Sequence, residues 1–264
     1  MTEHDGSRME PKIVAIVQAR MASTRLPGKV LADLVGQPML VREVERAMRA
    51  ELVDELVVAT TKESEDEPIA ELCLEQSYAC YRGSSLDVLD RVYEAAKLHQ
   101  AEIVVRLTGD CPLIDPSLID QTIAAFRASD PPVDFAANRL PDDKSFPIGT
   151  DTEVCTFASL ERAWVEATRP HEREHVMPYL YEDPARFRTL LVRNDQDYSH
   201  YRWTVDTEED LELVRQVFAY FEGKSNFSWT EIINLFEAQP QLLSLNAGVE
   251  HKSQFDVDSG WSGA

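Results

Sequence analysis

Apolar residues recur along the first half of the chain in short continuous runs separated by longer amphipathic stretches. Runs rich in β-branched residues predict buried strands at 13–17, 56–60 and 103–107. Helical spacing of the apolar positions predicts helices at 38–48, 66–76, 86–98 and 116–128. Alternation of apolar strands with helices is typical of an α/β fold with a largely parallel sheet that is covered by helices on both faces. Ligands bind such sheets at the carboxyl ends of the strands, so we expect a site in the loops after Val17 and Leu107.

The second half of the chain has a less regular pattern. It predicts strands at 153–157 and 187–192, the first of them followed by a helix at 160–167, with further helices at 174–181 and after Asp206. From about Leu245 the chain becomes polar and rich in Gly and Ser. We therefore expect one domain at 12–246, a flexible N-terminus at 1–11 and a flexible tail at 247–264.

Composition limits the classes of partner. The 264 residues, 44% of them hydrophobic, suffice to bury the core of one domain. The 26 basic and 47 acidic side chains give a net charge of -21, which argues against a nucleic-acid partner. The four cysteines have no C-x-x-C spacing and are expected to be reduced and structural. The polar N-terminus and the lack of a stretch of about 18 apolar residues predict a cytoplasmic protein with no membrane partner.

A basic loop at 18–29 follows the first predicted strand of this acidic chain. Arg20, Arg25 and Lys29 lie within twelve residues, and Ser23 and Gly28 add small side chains and accessible backbone amides. Guanidinium and ammonium groups together with backbone N–H groups are suited to a triphosphate. An ordinary solvated basic loop is the alternative, and the position after the first strand favours function. The loop matches neither a Walker A nor a dinucleotide-binding pattern.

Two aspartates are candidate metal ligands. Asp110 follows Gly109 at the end of the predicted strand 103–107, where a carboxylate can hold Mg²⁺ that bridges phosphate oxygens. Asp206 is predicted to end a short strand, and Thr207 with Asp210 resembles a capping box at the start of a helix. Helix capping alone is the alternative for these acids. We expect Thr207 and Asp210 to be structural and Asp206 to be a metal ligand.

A competing motif is HEREH at 171–175, which fits the H-E-x-x-H pattern of zinc metalloproteases. Pro170 places the motif in the first turn of its helix, and no H-x-x-G-x-x-H extension follows. A solvated helix start, with Glu174 and His175 facing an acceptor, is the preferred interpretation.

Two further segments have functional and structural interpretations of equal standing. At 82–89, RGSSLDVL follows a short strand, so Ser84 or Ser85 either caps the next helix or contacts a base or ribose. At 149–153, Asp151 and Glu153 either orient acceptor hydroxyls or hold a structural arginine.

The ordered motifs resemble those of the cytidylyltransferase family that includes the CMP-Kdo and CMP-acylneuraminate synthetases, and the match is nearest to its spore-coat polysaccharide SpsF-like branch. The resemblance covers roughly residues 12–246 and rests on QARMASTRLPGKVL at 18–31, RGSSLDVLDRV at 82–92, RLTGDCPLIDP at 106–116, GTDTEVCTF at 149–157, REHVMPYL at 173–180 and RWTVDTEEDLELV at 202–214. It implies a GT-A-like, Rossmann-related nucleotidyltransferase that transfers CMP from CTP to a small acceptor such as an acidic sugar and releases pyrophosphate.

The resemblance also implies roles for individual residues. The catalytic set it implies is Arg20, Lys29, Asp110 and Asp206, with Mg²⁺ or Mn²⁺ on the two aspartates. The implied nucleotide-binding residues are Gln18, Ala19, Arg20, Ser23, Arg25, Lys29, Arg82, Ser84 and Asp110. The implied acceptor-binding residues are Asp151, Glu153, Glu174 and His175.

Gln18 stands where the Kdo enzymes have Pro, and Thr150 and Thr152 vary the G-x-D-x-E element, which points away from Kdo itself and leaves the acceptor open. A glycosyltransferase of the same fold and a non-catalytic nucleotide-binding protein remain alternatives. Dimers are common in this family, which makes a homodimer the candidate oligomer.

Overall fold

Strands and helices alternate through the first 128 residues of the computed structural model, which describes residues 10–250. The strands are β1 (Ile13–Gln18), β2 (Glu55–Thr61), β3 (Ala79–Gly83), β4 (Ile103–Thr108), β5 (Phe135–Ala137), β6 (Arg139–Leu140), β7 (Asp143–Lys144), β8 (Glu153–Thr156) and β9 (Thr189–Leu191). The helices are α1 (Met39–Ala47), α2 (Glu67–Gln76), α3 (Val88–Leu98), α4 (Pro116–Ala128), α5 (Phe157–Glu166), α6 (Pro170–His175), α7 (Pro178–Tyr181), α8 (Glu208–Tyr220) and α9 (Trp229–Ala238).

The central sheet has seven strands in the order β3-β2-β1-β4-β8-β5-β9. Only β8 runs against its neighbours β4 and β5, and the other adjacent pairs in this sheet are parallel. At the end of β1, Gln18 lies beside Ala59 of β2 and Thr108 of β4. The predicted mostly parallel mixed sheet is therefore confirmed, and the carboxyl ends of its central strands meet at one edge.

Alternate residues of the central strands face two separate apolar layers. Ala15 and Val17 pack with α1, α2, α4, α8 and α9, whereas Val14 and Ile16 pack with α3, α5 and α7. The side chains of these four residues are buried, because a strand in the middle of a sheet that is covered on both faces has no side that faces solvent. Helices on both faces, as predicted, hold the strand ends in place.

The prediction of one helix at 174–181 is wrong. The structure has two short helices there, α6 ending at His175 and α7 beginning at Pro178. Val176 between them has a φ of 70°, and Pro178 has no N–H with which to continue the hydrogen bonds of α6. The chain therefore turns at Val176, and His175 lies at a helix end.

The prediction that Asp206 ends a strand is also wrong. Residues 202–206 form no strand. Arg202 makes an isolated bridge with Ile148, and the N–H of Val205 donates to the carbonyl of Asp110. This segment crosses the carboxyl edge of the sheet in close contact with Gly149. A Cβ added to Gly149 would lie 2.5 Å from the backbone nitrogen of Thr204, so only glycine permits the approach. This crossing brings Asp206 to the end of β4.

Helix α9 and the 3-10 helix Pro240–Ser244 have no counterpart in the predicted elements. Helix α5 begins at Phe157, before the predicted 160, because the Thr156 side chain accepts the N–H of Ser159. The predicted terminal segments 1–11 and 247–264 lie mostly outside the described residues. Among residues 10–250, no helix is long and apolar enough to span a bilayer.

Candidate active site

A cleft of about 610 Å³ opens at the carboxyl edge of the sheet. The loop after β1 forms one wall of this cleft, the turn after β4 forms its floor, and residues from β8, α6 and the β6–β7 hairpin complete it. Gly109 permits this arrangement, since a Cβ there would lie 2.8 Å from the carbonyl oxygen of Gln18. The two strand-end loops therefore touch through backbone, as expected for a site at this edge.

Glycine also shapes the basic loop. Gly28 has a φ of 74°, in the left-handed region that favours glycine, and its N–H donates to the carbonyl of Met21 at 2.9 Å. The side chain of Leu26 is buried in the core below. The loop closes on itself, and Lys29 begins a 3-10 turn that points its side chain inward.

Lys29 lies at the centre of a charged cluster. Its Nζ donates to Asp110 at 3.1 Å, to Asp206 at 2.9 Å and to the carbonyl of Val205 at 2.7 Å. Burial lowers the pKa of Lys29, but the two carboxylates more than offset this, and its pKa lies above the usual value. The ammonium group is thus held between two carboxylates that are 96 positions apart in the sequence.

Asp206 is bound by two further cations. Arg25 lies 2.7 Å from its carboxylate and Arg202 lies 2.9 Å away. Burial would raise the pKa of Asp206, but Lys29 and Arg25 outweigh it and the pKa lies below the usual range. We call the cluster of Arg25, Lys29, Asp110 and Asp206 the Lys29 end of the cleft.

A capping box holds the chain behind Asp206. The Thr207 side chain accepts the N–H of Asp210, and the Asp210 carboxylate accepts the N–H groups of Thr207 and Asp206. Asp210 is fully buried and pairs with Arg202 at 2.9 Å. The predicted structural role of Thr207 and Asp210 is confirmed.

Asp110 and Asp206 fit a divalent cation. Both carboxylates bind the ammonium group of Lys29, so they lie close enough together to share one cation. Within residues 10–250, no cluster of three or more His, Cys, Asp or Glu side chains forms a complete metal cage. Two carboxylates suit Mg²⁺, which takes its remaining ligands from water and substrate phosphates.

Glu43 lies buried beneath this cluster and was not predicted. Its Oε2 accepts the N–H of Cys111 at 3.1 Å, and Oε1 has no hydrogen-bond partner in the described part of the chain. Burial and the nearby Asp110 raise the pKa of Glu43 well above its usual value. The sequence did contain a signal for Glu43, because an acidic residue lies between Leu40 and Val44 on the apolar face of α1.

The opposite end of the cleft is lined by arginine and acid pairs. Arg106 of β4 pairs with Glu153 of β8 and donates to the Gln18 side chain at 2.9 Å. Arg139 pairs with Asp151 at 3.1 Å, and Arg20 lies 3.8 Å from Glu174. We call this region the Arg106 end, defined by Arg20, Arg106, Arg139, Asp151, Glu153 and Glu174.

Sequence reasoning named the acids of the Arg106 end but neither Arg106 nor Arg139. Burial raises the pKa of Glu153, and Arg106 acts in the opposite direction. A charged residue inside the apolar strand at 103–107 was the signal for Arg106. The ion pairs confirm that Asp151 and Glu153 hold arginines, and because both acids also line the cleft, their role as acceptor ligands stays a prediction.

Most residues predicted for the site lie together in the cleft. They are Gln18, Ala19, Arg20, Ser23, Arg25, Lys29, Asp110, Asp151, Glu153, Glu174, His175 and Asp206. These residues come from five separate segments of the chain, which the sheet edge brings together.

Arg82 and Ser84 do not line the cleft. Arg82 donates to the carbonyls of Thr61 and Glu63 and pairs with Glu67. The cap of α3 is Asp87, so the expectation that Ser84 or Ser85 caps this helix is wrong. Ser84 instead accepts the N–H of Asp87.

The HEREH segment does not bring its side chains together as a zinc site would require. His171 pairs with Glu182 at 2.9 Å, and Glu172 accepts the N–H groups of Thr168 and Arg169 at the start of α6. His175 lines the cleft, and within residues 10–250 no group of three or more His, Cys, Asp or Glu side chains is placed to hold a metal ion. The first two residues of the motif therefore stabilise the helix start.

A family model described as "Cytidylyltransferase" matches residues 14–240 of this chain. The spore coat polysaccharide biosynthesis protein SpsF of Bacillus subtilis is 31% identical over 235 residues, which cover 86% of this chain and 95% of that protein.

Solved structures give the same picture. A cytidylyltransferase from Leptospira borgpetersenii is 34% identical with a TM-score of 0.85, covering 91% of this chain and 100% of the other. A CMP:2-keto-3-deoxy-manno-octonic acid synthetase complexed with CTP is 22% identical with a TM-score of 0.60, covering 79% of this chain and 99% of the other. The second likeness supports the fold alone.

Proposed function

This chain belongs to the cytidylyltransferase family, and we propose on that premise that it transfers CMP from CTP to an acidic sugar or a similar small acceptor, with release of pyrophosphate. The observation that carries the proposal is the position of Lys29, whose ammonium group lies between Asp110 and Asp206 beside the basic loop. A cluster of cations and carboxylates at this edge of the sheet is suited to a triphosphate with its divalent metal.

The reaction is a displacement at the α-phosphorus of CTP. An acceptor oxygen forms the new bond to phosphorus while the bond to the pyrophosphate oxygen breaks. A phosphate or phosphonate oxygen is already ionised and attacks without losing a proton, whereas a sugar hydroxyl passes its proton to a cleft carboxylate or to water as the bond to phosphorus forms. Neither route needs a protein nucleophile. The protein's task is then to hold the reactants in line and to neutralise charge.

The residues of the Lys29 end would divide this task. Asp110 and Asp206 would hold Mg²⁺ or Mn²⁺, which supplies positive charge to phosphate oxygens when bound. Lys29 and Arg25 would exchange their carboxylate partners for the leaving pyrophosphate, and Arg20 would stabilise charge at the α-phosphorus. The Arg106 end would orient the acceptor through Asp151, Glu153, Glu174 and His175.

Pyrophosphate release tests the proposal. Each of the four nucleoside triphosphates is incubated with Mg²⁺ and a panel of acidic sugars, sugar phosphates and phosphonates. We expect release that requires both CTP and an acceptor, with a CMP conjugate as the other product. Consumption of a nucleotide-sugar without pyrophosphate release would instead identify a glycosyltransferase, and tight CTP binding without turnover on any acceptor would contradict the proposed activity.

A further inference from the structure

Arg91 is a buried cation in the wall of the cleft that no motif assigned to the site. It lies on α3 and is 1% exposed. One Nη atom donates to the carbonyl of Ser84 at 2.6 Å, while Nε is buried and has no hydrogen-bond partner in the described part of the chain. Within residues 10–250 its guanidinium forms no ion pair with a carboxylate.

The fold makes room for Arg91 at a specific place. Gly83 ends β3 beside the stem of this side chain, and a Cβ on Gly83 would lie 2.9 Å from the Arg91 Cγ. The glycine thus lets the arginine pass close to the strand on its way to the cleft. Arg91 is therefore both buried and part of the lining of the cleft.

The nearest acids are committed to other groups. Asp66 accepts the N–H of Met21 at 2.6 Å and the hydroxyl of Thr61. Asp87 caps α3 and pairs with Arg173. Burial and the neighbouring Arg20 lower the pKa of Arg91 to about 10, and these two acids only partly oppose the shift.

A buried charge without a partner is costly to a folded protein, and a charge in that condition beside a cleft is characteristic of a binding site. We propose that Arg91 binds an anionic group of the acceptor, an inference that rests on the proposed function. The group is a carboxylate, a phosphate or a phosphonate, each of which presents oxygens that a guanidinium can bind in a forked geometry.

The surroundings of Arg91 place this contact at the Arg106 end. The two cations that act on Arg91 are Arg20 and Arg106. Arg20 lies beside Glu174, Arg106 is paired with Glu153 and Arg139 with Asp151, whereas Arg91 forms no ion pair in the described part of the chain. An anion would complete the charge balance there, whereas the cations of the Lys29 end already have carboxylate partners.

Calorimetric titration of the full-length protein tests the assignment. The wild type, Arg91→Met and Arg91→Lys are first saturated with Mg²⁺ and α,β-methylene-CTP, which cannot release pyrophosphate. Each is then titrated with 3-deoxy-manno-octulosonate, methylphosphonate and inorganic phosphate. Arg127→Met is the control, because Arg127 forms a surface ion pair with Glu10 outside the cleft.

We expect Arg91→Met to weaken binding of at least one anion about tenfold or more, since one charged hydrogen bond contributes that much. Arg91→Lys should recover part of the loss, and the Kd of the nucleotide should change less than about twofold in every variant. The melting temperature of ligand-free Arg91→Met should not fall, because the variant removes an unpaired buried charge. A merely structural Arg91 would lower it.

Three results would overturn the assignment. They are weaker nucleotide binding with unchanged anion binding, equal anion binding in all variants, and failure of the wild type to bind any of the three anions. Failure of the proposed function gives a different result. In that case no acceptor would support pyrophosphate release, while anion binding would still depend on Arg91.

Discussion

The two ends of the cleft hold similar charges under different conditions. At the Lys29 end both cations have a carboxylate partner in the described structure, and Asp206 pairs with both of them and also with Arg202. At the Arg106 end Arg91 is buried without an acid. A ligand at the first end must exchange existing ion pairs, whereas a ligand at the second end supplies a missing one. Breaking existing ion pairs offsets part of the gain from new ones, whereas an anion that meets an unpaired buried cation has no such cost.

The largest expected effect comes from breaking the Lys29 end. Asp110→Asn removes one of the two carboxylates that would hold the metal, so turnover should fall about 1,000-fold, or about 4 kcal/mol of transition-state stabilisation. Pyrophosphate release with CTP measures it. Asp120→Asn is the matched control, because Asp120 accepts N–H groups of Glu51 and Leu52 outside the cleft. Near-normal turnover in Asp110→Asn would refute the metal assignment.

The second effect tests the pairing at the Arg106 end. Arg106→Met leaves Glu153 beside the cleft without its cation, and breaking a buried pair costs about 3 kcal/mol of the free energy of unfolding. Replacing both partners in Arg106→Met/Glu153→Leu should recover most of this loss, since neither charge is then unpaired. Urea denaturation of the single and double variants gives the coupling. Equal stability of wild type and Arg106→Met would show that this pair is screened by solvent.

The third effect concerns Glu43 below the Lys29 end. Its pKa is raised, so above about pH 4.3 the unfolded carboxyl ionises while the folded one keeps its proton. Wild-type stability should therefore fall with rising pH by up to about 1.4 kcal/mol per pH unit until the folded pKa is reached. Glu43→Gln should lose this dependence, so its stability relative to wild type should increase from pH 5 to pH 8.

Denaturation curves at several pH values measure this difference. Glu43→Ala is the comparison variant, because it removes the acceptor of the Cys111 N–H and should be destabilised at every pH. Parallel pH profiles of wild type and Glu43→Gln would mean that Glu43 ionises normally in the folded protein.

The course of the backbone could be predicted from the sequence more fully than the contacts of the side chains. The family, the sheet and the cleft position followed from apolar runs and ordered motifs, since strand ends such as Gln18 and Thr108 are adjacent in any parallel sheet of this order. The break at Val176 was missed although the sequence carries a signal for it, since Pro178 has no N–H to continue α6. Glu43 and Arg91 were missed because periodicity shows which face a residue occupies and leaves open which partner meets it there.

Two arginines of one motif, Arg82 and Arg91, lie in different surroundings. The position of Arg82 in RGSSLDVLDRV implies a nucleotide contact, but its guanidinium pairs with Glu67 and backbone carbonyls. Arg91, nine positions later in the same motif, is the arginine that reaches the cleft. The packing of α3 against Gly83 brings Arg91, and not Arg82, to the wall of the cleft.

The smallest effect asks whether the Lys29 end depends on the helix behind it. Thr207→Ala and Ser228→Ala each remove the hydroxyl of a capping box, at the starts of α8 and α9, and each should cost about 1 kcal/mol of the free energy of unfolding. Only Thr207 adjoins Asp206, so only Thr207→Ala should also raise the KM for CTP, by about two- to threefold. Thermal denaturation and initial rates measure the two quantities. An equal KM in both variants would mean that Asp206 is positioned by its three cations alone, independently of the capping box.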